Sequence, residues 1–468
     1  MAVVALIALA AGLVWGILYA RRGSLALAIA ALVVVGYVLG HNFWNSHVGP
    51  LPLTLDRLLL VGVAAAFVAQ WRWGRIEHKP LAGADWLLVT LLAMLTASAL
   101  VAGSPDLAAT DRAPPLWRLV MSFFVPAAMY LVVREVQLTR RAWCASLAMM
   151  WLLGVYLAAT ALAEIAGQWS LVFPRYIADP TLGIHFGRAR GPELNAASLG
   201  IYLTACLWCG WTLRTEVSRP WQLVLVASLP LMAVGVFFTY TRSTWIGLVA
   251  SAAVVGWWQL PWSWRWPAFS LGAVAGLVVA AAMWNDVMGL KREGTAGESH
   301  HSVDQRKSFA YVSWQMFKDH PLMGVGFGRF CDRKLPYLSD RSQEFELESL
   351  RPLDHHNTLL SLLVETGLAG LAAFAALLAA WARTAWRLAS DLREPTWVRA
   401  QGVLTLAVLA SYLSSAVFHD LSLLPSQQWL LFVFTGLTMN LRLGRCHEPL
   451  TGTANVAVEI PSRKPVHA

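Results

Sequence analysis

The chain has 468 residues, of which 57% are hydrophobic and only 13% are charged, and its formal net charge is +9. Soluble globular proteins are about half apolar and a quarter charged, so this composition excludes a soluble enzyme with a single anchor. Apolar runs of membrane length recur along the whole chain. They indicate an all-α, polytopic membrane protein of about 12–13 transmembrane helices with one large extracytoplasmic loop. The positive charge then reflects cytoplasmic loops and does not indicate a nucleic-acid partner.

The apolar runs predict thirteen spans. The first run lacks the basic segment that begins a signal peptide, so we interpret it as a retained helix. If one early span is wrong, the count becomes twelve and the N-terminus changes side. The predicted spans are 2–20, 24–40, 55–70, 85–103, 117–134, 142–163, 194–213, 221–239, 243–259, 267–285, 357–382, 400–418 and 427–441.

Basic residues between the spans predict the orientation. They recur in alternate loops, as in Arg21-Arg22, Arg140-Arg141 and Arg383. Because cytoplasmic loops carry the excess Lys and Arg of membrane proteins, this alternation places the N-terminus outside and the C-terminus inside. We expect residues 1–443 to form a single transmembrane domain and the tail 444–468 to be disordered and cytoplasmic.

Three segments on the predicted outer side carry arginines against this preference. Arg190 lies in the loop 164–193, Arg242 lies in a short turn between two spans, and Arg306 lies in the long segment 286–356, here called the outer loop. Loops of this length in compact proteins usually carry function. We expect the outer loop to pack over the outer ends of the helices.

Guanidinium groups bind phosphate oxygens through paired hydrogen bonds, so these arginines favour an anionic ligand. The alternative is that each arginine forms a salt bridge, with Glu193, Asp304 or Asp354, or reaches lipid phosphates. Arg190 and Arg242 both lie at the outer end of a predicted helix. The occurrence of both arginines on the side of the outer loop favours an anionic ligand over separate salt bridges.

The outer loop leads into His355-His356-Asn357, where a long polar segment meets a long apolar one. An imidazole or an amide gains nothing from burial in hydrocarbon, and both lower helix propensity, so this position indicates work at the membrane surface. The alternative is that His356 and Asn357 only cap the following helix, since Asn is a favoured cap.

Four short motifs, in family order, resemble the O-antigen ligase and O-antigen polymerase superfamily, and they cover roughly residues 170–440. Singly each match is weak, and together they are fairly specific for the superfamily. The matching segments are Arg190-Gly191-x-x-x-Asn195, Thr241-Arg242-Ser243, His320-Pro321-Leu322 with Gly324, Gly326 and Gly328, and His356-Asn357 separated by nine residues from Gly367-x-x-Gly370.

This resemblance implies a metal-independent, inverting membrane glycosyltransferase without a cofactor. Its donor would be a glycan on undecaprenyl diphosphate. Its acceptor would be a hydroxyl of a glycan or a lipid-linked glycan, as in lipopolysaccharide assembly, at the periplasmic face of the bacterial inner membrane. By the same resemblance, His356 would take the acceptor proton, and Arg190, Arg242, Arg306 and Asn357 would bind the substrates.

The residue types suit that chemistry. A glycosyl diphosphate already carries a good leaving group, so the site needs fixed positive charge and not an acidic carboxyl. A neutral histidine near its ordinary pKa can take the hydroxyl proton. The sequence shows no paired carboxylates and no metal-ligand spacing on the predicted outer side, which fits a metal-free site.

Three alternatives stay open. A polymerase that joins two lipid-linked repeats of an O-antigen or exopolysaccharide would share the donor site and the chemistry. A transporter of a small anion such as bicarbonate would place ionisable residues near the middle of the membrane, whereas the notable charges here lie at helix ends. A scaffold protein would not need a His-Asn pair at a helix end.

Overall fold

A computed structural model describes residues 23–48, 51–103, 114–183, 185–282, 295–343 and 346–444. The predicted first span, 2–20, and the predicted disordered tail from 445 lie outside these ranges. The longer helices are α1 (Leu25–Val38), α2 (Leu55–Arg72), α3 (Gly83–Val101), α4 (Pro115–Glu135), α5 (Arg140–Ile165), α6 (Ala196–Leu213), α7 (Arg219–Phe238), α8 (Arg242–Gln259), α9 (Trp262–Ala282), α10 (Thr295–Asp319), α11 (Thr358–Ser390), α12 (Thr396–Ala416) and α13 (Pro425–Gly444).

Short elements connect these helices. A small antiparallel hairpin pairs β1 (Ser46–Val48) with β2 (Leu51–Leu53) ahead of α2. Within α4, residues Val120–Phe124 form a π-helical turn. Single helical turns lie at Trp169–Leu171, Arg175–Ala178, Arg214–Glu216, Phe330–Arg333, Leu335–Ser339, Glu348–Leu350 and Leu421–Leu423.

Twelve of the thirteen predicted spans coincide with a helix, and α10 is the helix that belongs to the outer loop. Within the described ranges, six helices are long and apolar enough to cross a membrane, namely α3 to α7 and α11. This confirms the all-α polytopic class. The helices α2, α8, α12 and α13 have 18 to 21 residues but a weaker apolar signal, so the number of crossings stays a prediction.

Helix α6 lies at the centre of the bundle, and nearly all of its residues are buried. It packs against α5, α7, α8 and α12. Small residues permit this close packing, as expected between membrane helices. A Cβ on Gly200 would lie only 2.6 Å from the Thr244 side chain of α8, and one on Gly154 would lie 2.5 Å from Cys206.

Helix α11 is broken at Gly367, whose φ of 66° and ψ of −168° lie outside the helical region. The carbonyls that the break leaves without helical partners accept from another segment. Val364 O accepts from Val325 N, and Glu365 O accepts from Gly326 N, both at 2.9 Å. A break in a membrane helix is tolerated when neighbouring protein satisfies its backbone groups, and this segment of the outer loop does so.

We call residues 320–328 the glycine hook. Beyond the break, Leu368 N donates to Pro321 O at 2.9 Å and Ala369 N donates to Leu322 O at 3.3 Å. Gly324 has a φ of 68°, and a Cβ there would lie 2.5 Å from the backbone of α11. Gly324 is therefore explained by backbone-to-backbone packing, since a side chain would prevent the contact, whereas a Cβ on Gly326 or Gly328 would meet Ala102 or Pro115.

The outer loop has a small apolar core of its own. This core rests on the first half of α11 through Val364, and α10 packs against α11 beside it. The sidedness of the loop in the membrane and the single-domain division stay predictions. The buried members of the core are Phe309, Val312, Met316, Phe330, Leu338, Leu347, Leu350 and Val364.

Candidate active site

His356 lies in the extended segment just before α11, with an exposed ring that meets Phe309 edge-on at 5.0 Å between ring centres. Desolvation by the surrounding protein lowers the pKa of its imidazole below the ordinary 6.5. Asp354 and Asp420 oppose this shift, while Arg306 adds to it. The imidazole is therefore mostly neutral at pH 7 and able to accept a proton.

His355 has a different environment, with only 3% of its surface exposed. Its Nδ1 accepts from Asn357 N at 3.2 Å, which assigns the proton to Nε2, and Nε2 lies 2.9 Å from Ser313 Oγ. The ring packs between Phe309 and Phe330. Burial lowers its pKa to about 3. This histidine is a neutral part of the outer-loop core.

Asn357 caps α11. Its Oδ1 accepts from Leu360 N at 2.9 Å, and its Nδ2 donates to Val417 O at 2.7 Å. The amide thus joins the start of α11 to the end of α12. Asn357 therefore caps the helix, as the capping alternative expects, and its contact with substrate stays a prediction.

Two more histidines lie in electrostatic range of His356. His419 follows α12, and its pKa is lowered to about 4 by burial first and then by His185, His356 and Arg306. His185 precedes α6, and its pKa is also lowered to about 4, by burial first, with Arg190 and His356 among the further causes. Three neutral imidazoles and an arginine thus share one region, here called the histidine site.

His419 also fixes the geometry of this region. Its carbonyl accepts from the backbone N–H and the hydroxyl of Thr358, at 3.2 and 2.8 Å, beside His356. Its Nε2 lies 2.9 Å from Ser243 Oγ at the start of α8. Arg242, the first residue of α8, therefore lies at the same helix end as the histidines.

The predicted arginines differ in their surroundings. Arg306 is exposed, with its guanidinium 5.5 Å from the Phe418 ring, and it acts on both His356 and His419. Arg242 is partly buried. Arg306 acts within the histidine site, and Arg242 begins the helix whose next residue, Ser243, contacts His419. The binding of an anionic ligand by either arginine stays a prediction.

Arg190 is 1% exposed, and its guanidinium donates to loop carbonyls. The acceptors are Leu182 O at 2.5 Å, Ile177 O at 2.9 Å and Asp179 O at 2.6 Å. Three of its five N–H groups therefore hold the loop that carries His185. Its predicted contact with a phosphate stays a prediction, and the observed partners favour a supporting role.

Sequence reasoning missed a buried ion network beside the histidine site. Arg118 of α4 lies 3.0 Å from Glu365 Oε1 and 3.1 Å from Asp420 Oδ2, and it also donates to Ser361 Oγ at 3.2 Å. A signal was available. Arg118 begins a span at the predicted outer side, and Glu365 interrupts an apolar run, which usually marks a functional or paired charge.

Among the described residues, no group of three or more His, Cys, Asp or Glu side chains could hold a metal ion. Metal independence itself stays a prediction.

Residues 227–375 match the family model described as O-antigen ligase. The matched part contains Arg242, Arg306, the glycine hook and His356, and it ends within α11. The comparison with curated proteins gives no match. The family match confirms the resemblance to this superfamily, with three of the four motifs inside the matched residues and the Arg190 motif outside them, and it supports glycan transfer of the ligase or polymerase kind.

Proposed function

We propose that this chain, whose residues 227–375 match the O-antigen ligase family model, is a member of that superfamily and moves a glycan from undecaprenyl diphosphate to an acceptor hydroxyl. The transfer would occur at the periplasmic face of the bacterial inner membrane. The observation that carries this proposal is the convergence of three neutral histidines with Arg306 and the Arg242 end of α8.

In this proposal His356 is the general base. The acceptor oxygen attacks the anomeric carbon from the face opposite the diphosphate, its proton passes to the His356 imidazole, and the bond between the anomeric carbon and the phosphate oxygen breaks. One attack of this kind inverts the anomeric configuration. The lowered pKa keeps the imidazole in its proton-accepting form at neutral pH.

Arg242 and Arg306 hold the diphosphate as its charge grows. Fixed guanidinium groups stabilise that charge without reorganisation during the reaction, so no acid is needed at the leaving group. Arg190 acts indirectly, because its carbonyl contacts shape the loop on which His185 lies. His419 contacts Ser243 of α8 and Thr358 of α11. It thereby holds the end of α8 that carries Arg242 beside the segment that carries His356.

A polymerase is the second candidate within the same chemistry. Its acceptor would be another lipid-linked repeat, and the donor geometry described above would serve it equally. Product length separates the two functions: a ligase moves a finished chain once, whereas a polymerase gives a ladder of repeats.

The decisive experiment is transfer by the full-length protein in liposomes that contain a labelled undecaprenyl-diphosphate glycan and an acceptor glycolipid. We expect labelled acceptor and released undecaprenyl diphosphate in equal amounts. Deletion of the gene in cells should cause lipid-linked glycan to accumulate. The proposal would be contradicted if deletion left the amount of lipid-linked glycan in cells unchanged and well-folded protein gave no product in liposomes.

A further inference from the structure

A cavity of about 540 Å³ adjoins the histidine site. Asp354, His355 and Asp420 line it, and the two aspartates also act on the pKa of His356. The cavity and the imidazole therefore share one wall. The Arg118 network includes Asp420 and so belongs to that wall, and the rest of the cavity lies between α1, α2, α4 and α13.

The cavity is rich in carboxylates. Its two lining arginines are Arg57 and Arg118, and the second is already paired with two of the acids. An excess of carboxylate disfavours a phosphate group, in contrast to the arginines of the histidine site. The lining acids are Asp56, Glu193, Asp332, Asp354, Glu365 and Asp420.

Asp56 is the most informative of these acids. It is 8% exposed, and its Oδ1 has no hydrogen-bond partner within the described part of the chain. A buried carboxylate oxygen without a partner is costly, so such an oxygen in a cavity wall marks a place for a donor. Ionised carboxylates only accept hydrogen bonds, and they therefore select hydroxyl or amine groups.

Three aromatic side chains share the lining with the acids, namely Trp117, Phe330 and Trp429. Binding sites for small molecules combine apolar and aromatic walls with a few polar groups that orient the ligand. A sugar offers both features, because it has an apolar C–H face and a rim of hydroxyl donors. The cavity volume also lies in the range of such sites, about 300–1,000 Å³.

We propose that this cavity binds the terminal sugars of the acceptor and selects sugars that are neutral or carry an amine over sugars that carry phosphate or carboxylate. Naming the ligand as the acceptor rests on the proposed function. The reacting hydroxyl reaches His356 past Asp354 and Asp420. The negative cavity and the positive histidine site thereby sort the two substrates by charge.

The test is saturation-transfer difference NMR on the full-length protein in nanodiscs. The probes are neutral disaccharides of glucose, galactose, mannose and N-acetylglucosamine, the diamine of chitobiose, and the 6-phosphate of each neutral probe. We expect at least one neutral probe or the diamine to bind, and its phosphorylated form to bind at least tenfold more weakly. Binding of none of the neutral or amine probes, or equal binding of the phosphates, would overturn the assignment.

Variants locate the binding. Asp56→Asn keeps the side-chain shape and removes the charge, and Asp332→Asn does the same at a partly exposed position, where it also removes the ion pair with Arg329. We expect each to weaken the diamine at least fivefold. The matched control is Glu346→Gln, which removes a carboxylate from an exposed part of the outer loop outside the cavity. Unchanged binding in both cavity variants, with unfolding temperatures like that of the control, would refute the site.

A transfer assay separates this inference from the proposed function. If both hold, Asp56→Asn raises the KM for the acceptor and leaves the KM for the lipid-linked donor unchanged. If no transfer occurs while saccharide binding still depends on Asp56, the proposed function fails and the saccharide site stands. If transfer occurs and Asp56→Asn leaves the acceptor KM unchanged, the site fails and the proposed function stands.

Discussion

Replacing His355 and His356 separately should separate stability from catalysis. The His356 ring is exposed and makes an edge contact with Phe309, so His356→Ala should change the free energy of unfolding by no more than about 0.5 kcal/mol. As the general base, it should supply roughly 10²- to 10⁴-fold of the transfer rate. That factor corresponds to about 3–5 kcal/mol of activation free energy.

His355→Ala should show the reverse pattern. It removes the Ser313 contact, leaves Asn357 N without its acceptor and opens space between two phenylalanines. Lost packing and one orphaned donor together should destabilise the outer loop by about 2–4 kcal/mol. The protein that remains folded should transfer glycan at a rate closer to that of the unchanged protein.

The assay measures transfer in liposomes at saturating donor, and rates are divided by the amount of folded protein. Thermal unfolding of the same samples measures the change in stability of each variant. Near-normal transfer by His356→Ala, or an equal catalytic loss in both variants at equal folded protein, would show that the proton acceptor has been assigned wrongly.

The pH dependence, the arginines and the metal requirement give further tests. Because the pKa of His356 lies below 6.5, transfer should stay level as the pH falls through 6.5 and decline only as the pH approaches the lowered pKa; a midpoint at or above 6.5 in the pH profile of kcat/KM would contradict this. Arg242→Gln and Arg306→Gln should each reduce transfer at least tenfold with little change in unfolding temperature, whereas Arg190→Gln should lower the unfolding temperature, and the opposite pattern would exchange their roles. Transfer should persist in excess EDTA, and loss of activity restored by a divalent cation would end the metal-free mechanism.

The helices were predictable because apolar length dominates their formation. Each run from 24–40 onward had enough hydrophobic residues to specify a helix without tertiary information. Helix ends were less predictable: α11 continues to Ser390, eight residues past the predicted end, because its last turns pack against α12. Solvent and neighbouring helices set such ends, and composition alone does not record either.

The site was predictable where a local motif carries it and not where distant residues meet. His356 and Arg242 were found from motifs of a few residues. His185 and His419 are single histidines in loops, and nothing in their neighbouring residues separates them from ordinary loop histidines. The Arg118–Glu365 pair joins positions 247 residues apart, so only the folded chain reveals it.

Arg190 shows a second limit of the sequence. Its position at a helix end on the predicted outer side gives the same sequence signal as that of Arg242. The environments of the two arginines differ because the loop 177–182 folds over Arg190 and offers it three carbonyls. An arginine that satisfies loop carbonyls and an arginine that faces a ligand are indistinguishable until the loop conformation is known.

The nine-residue spacing between Asn357 and Gly367 has a physical reason in this fold. Helix α11 begins at Thr358, so Glu365 lies seven residues, or about 10 Å of helix rise, below its start. The break at Gly367 then receives the glycine hook, which fixes this depth through Val325 and Gly326. Glu365 therefore meets Arg118 in the wall of the cavity that Asp354 and His355 also line. One residue more or fewer in this segment would rotate Glu365 by about 100° and separate the pair, so the spacing sets both the depth and the charge of the cavity.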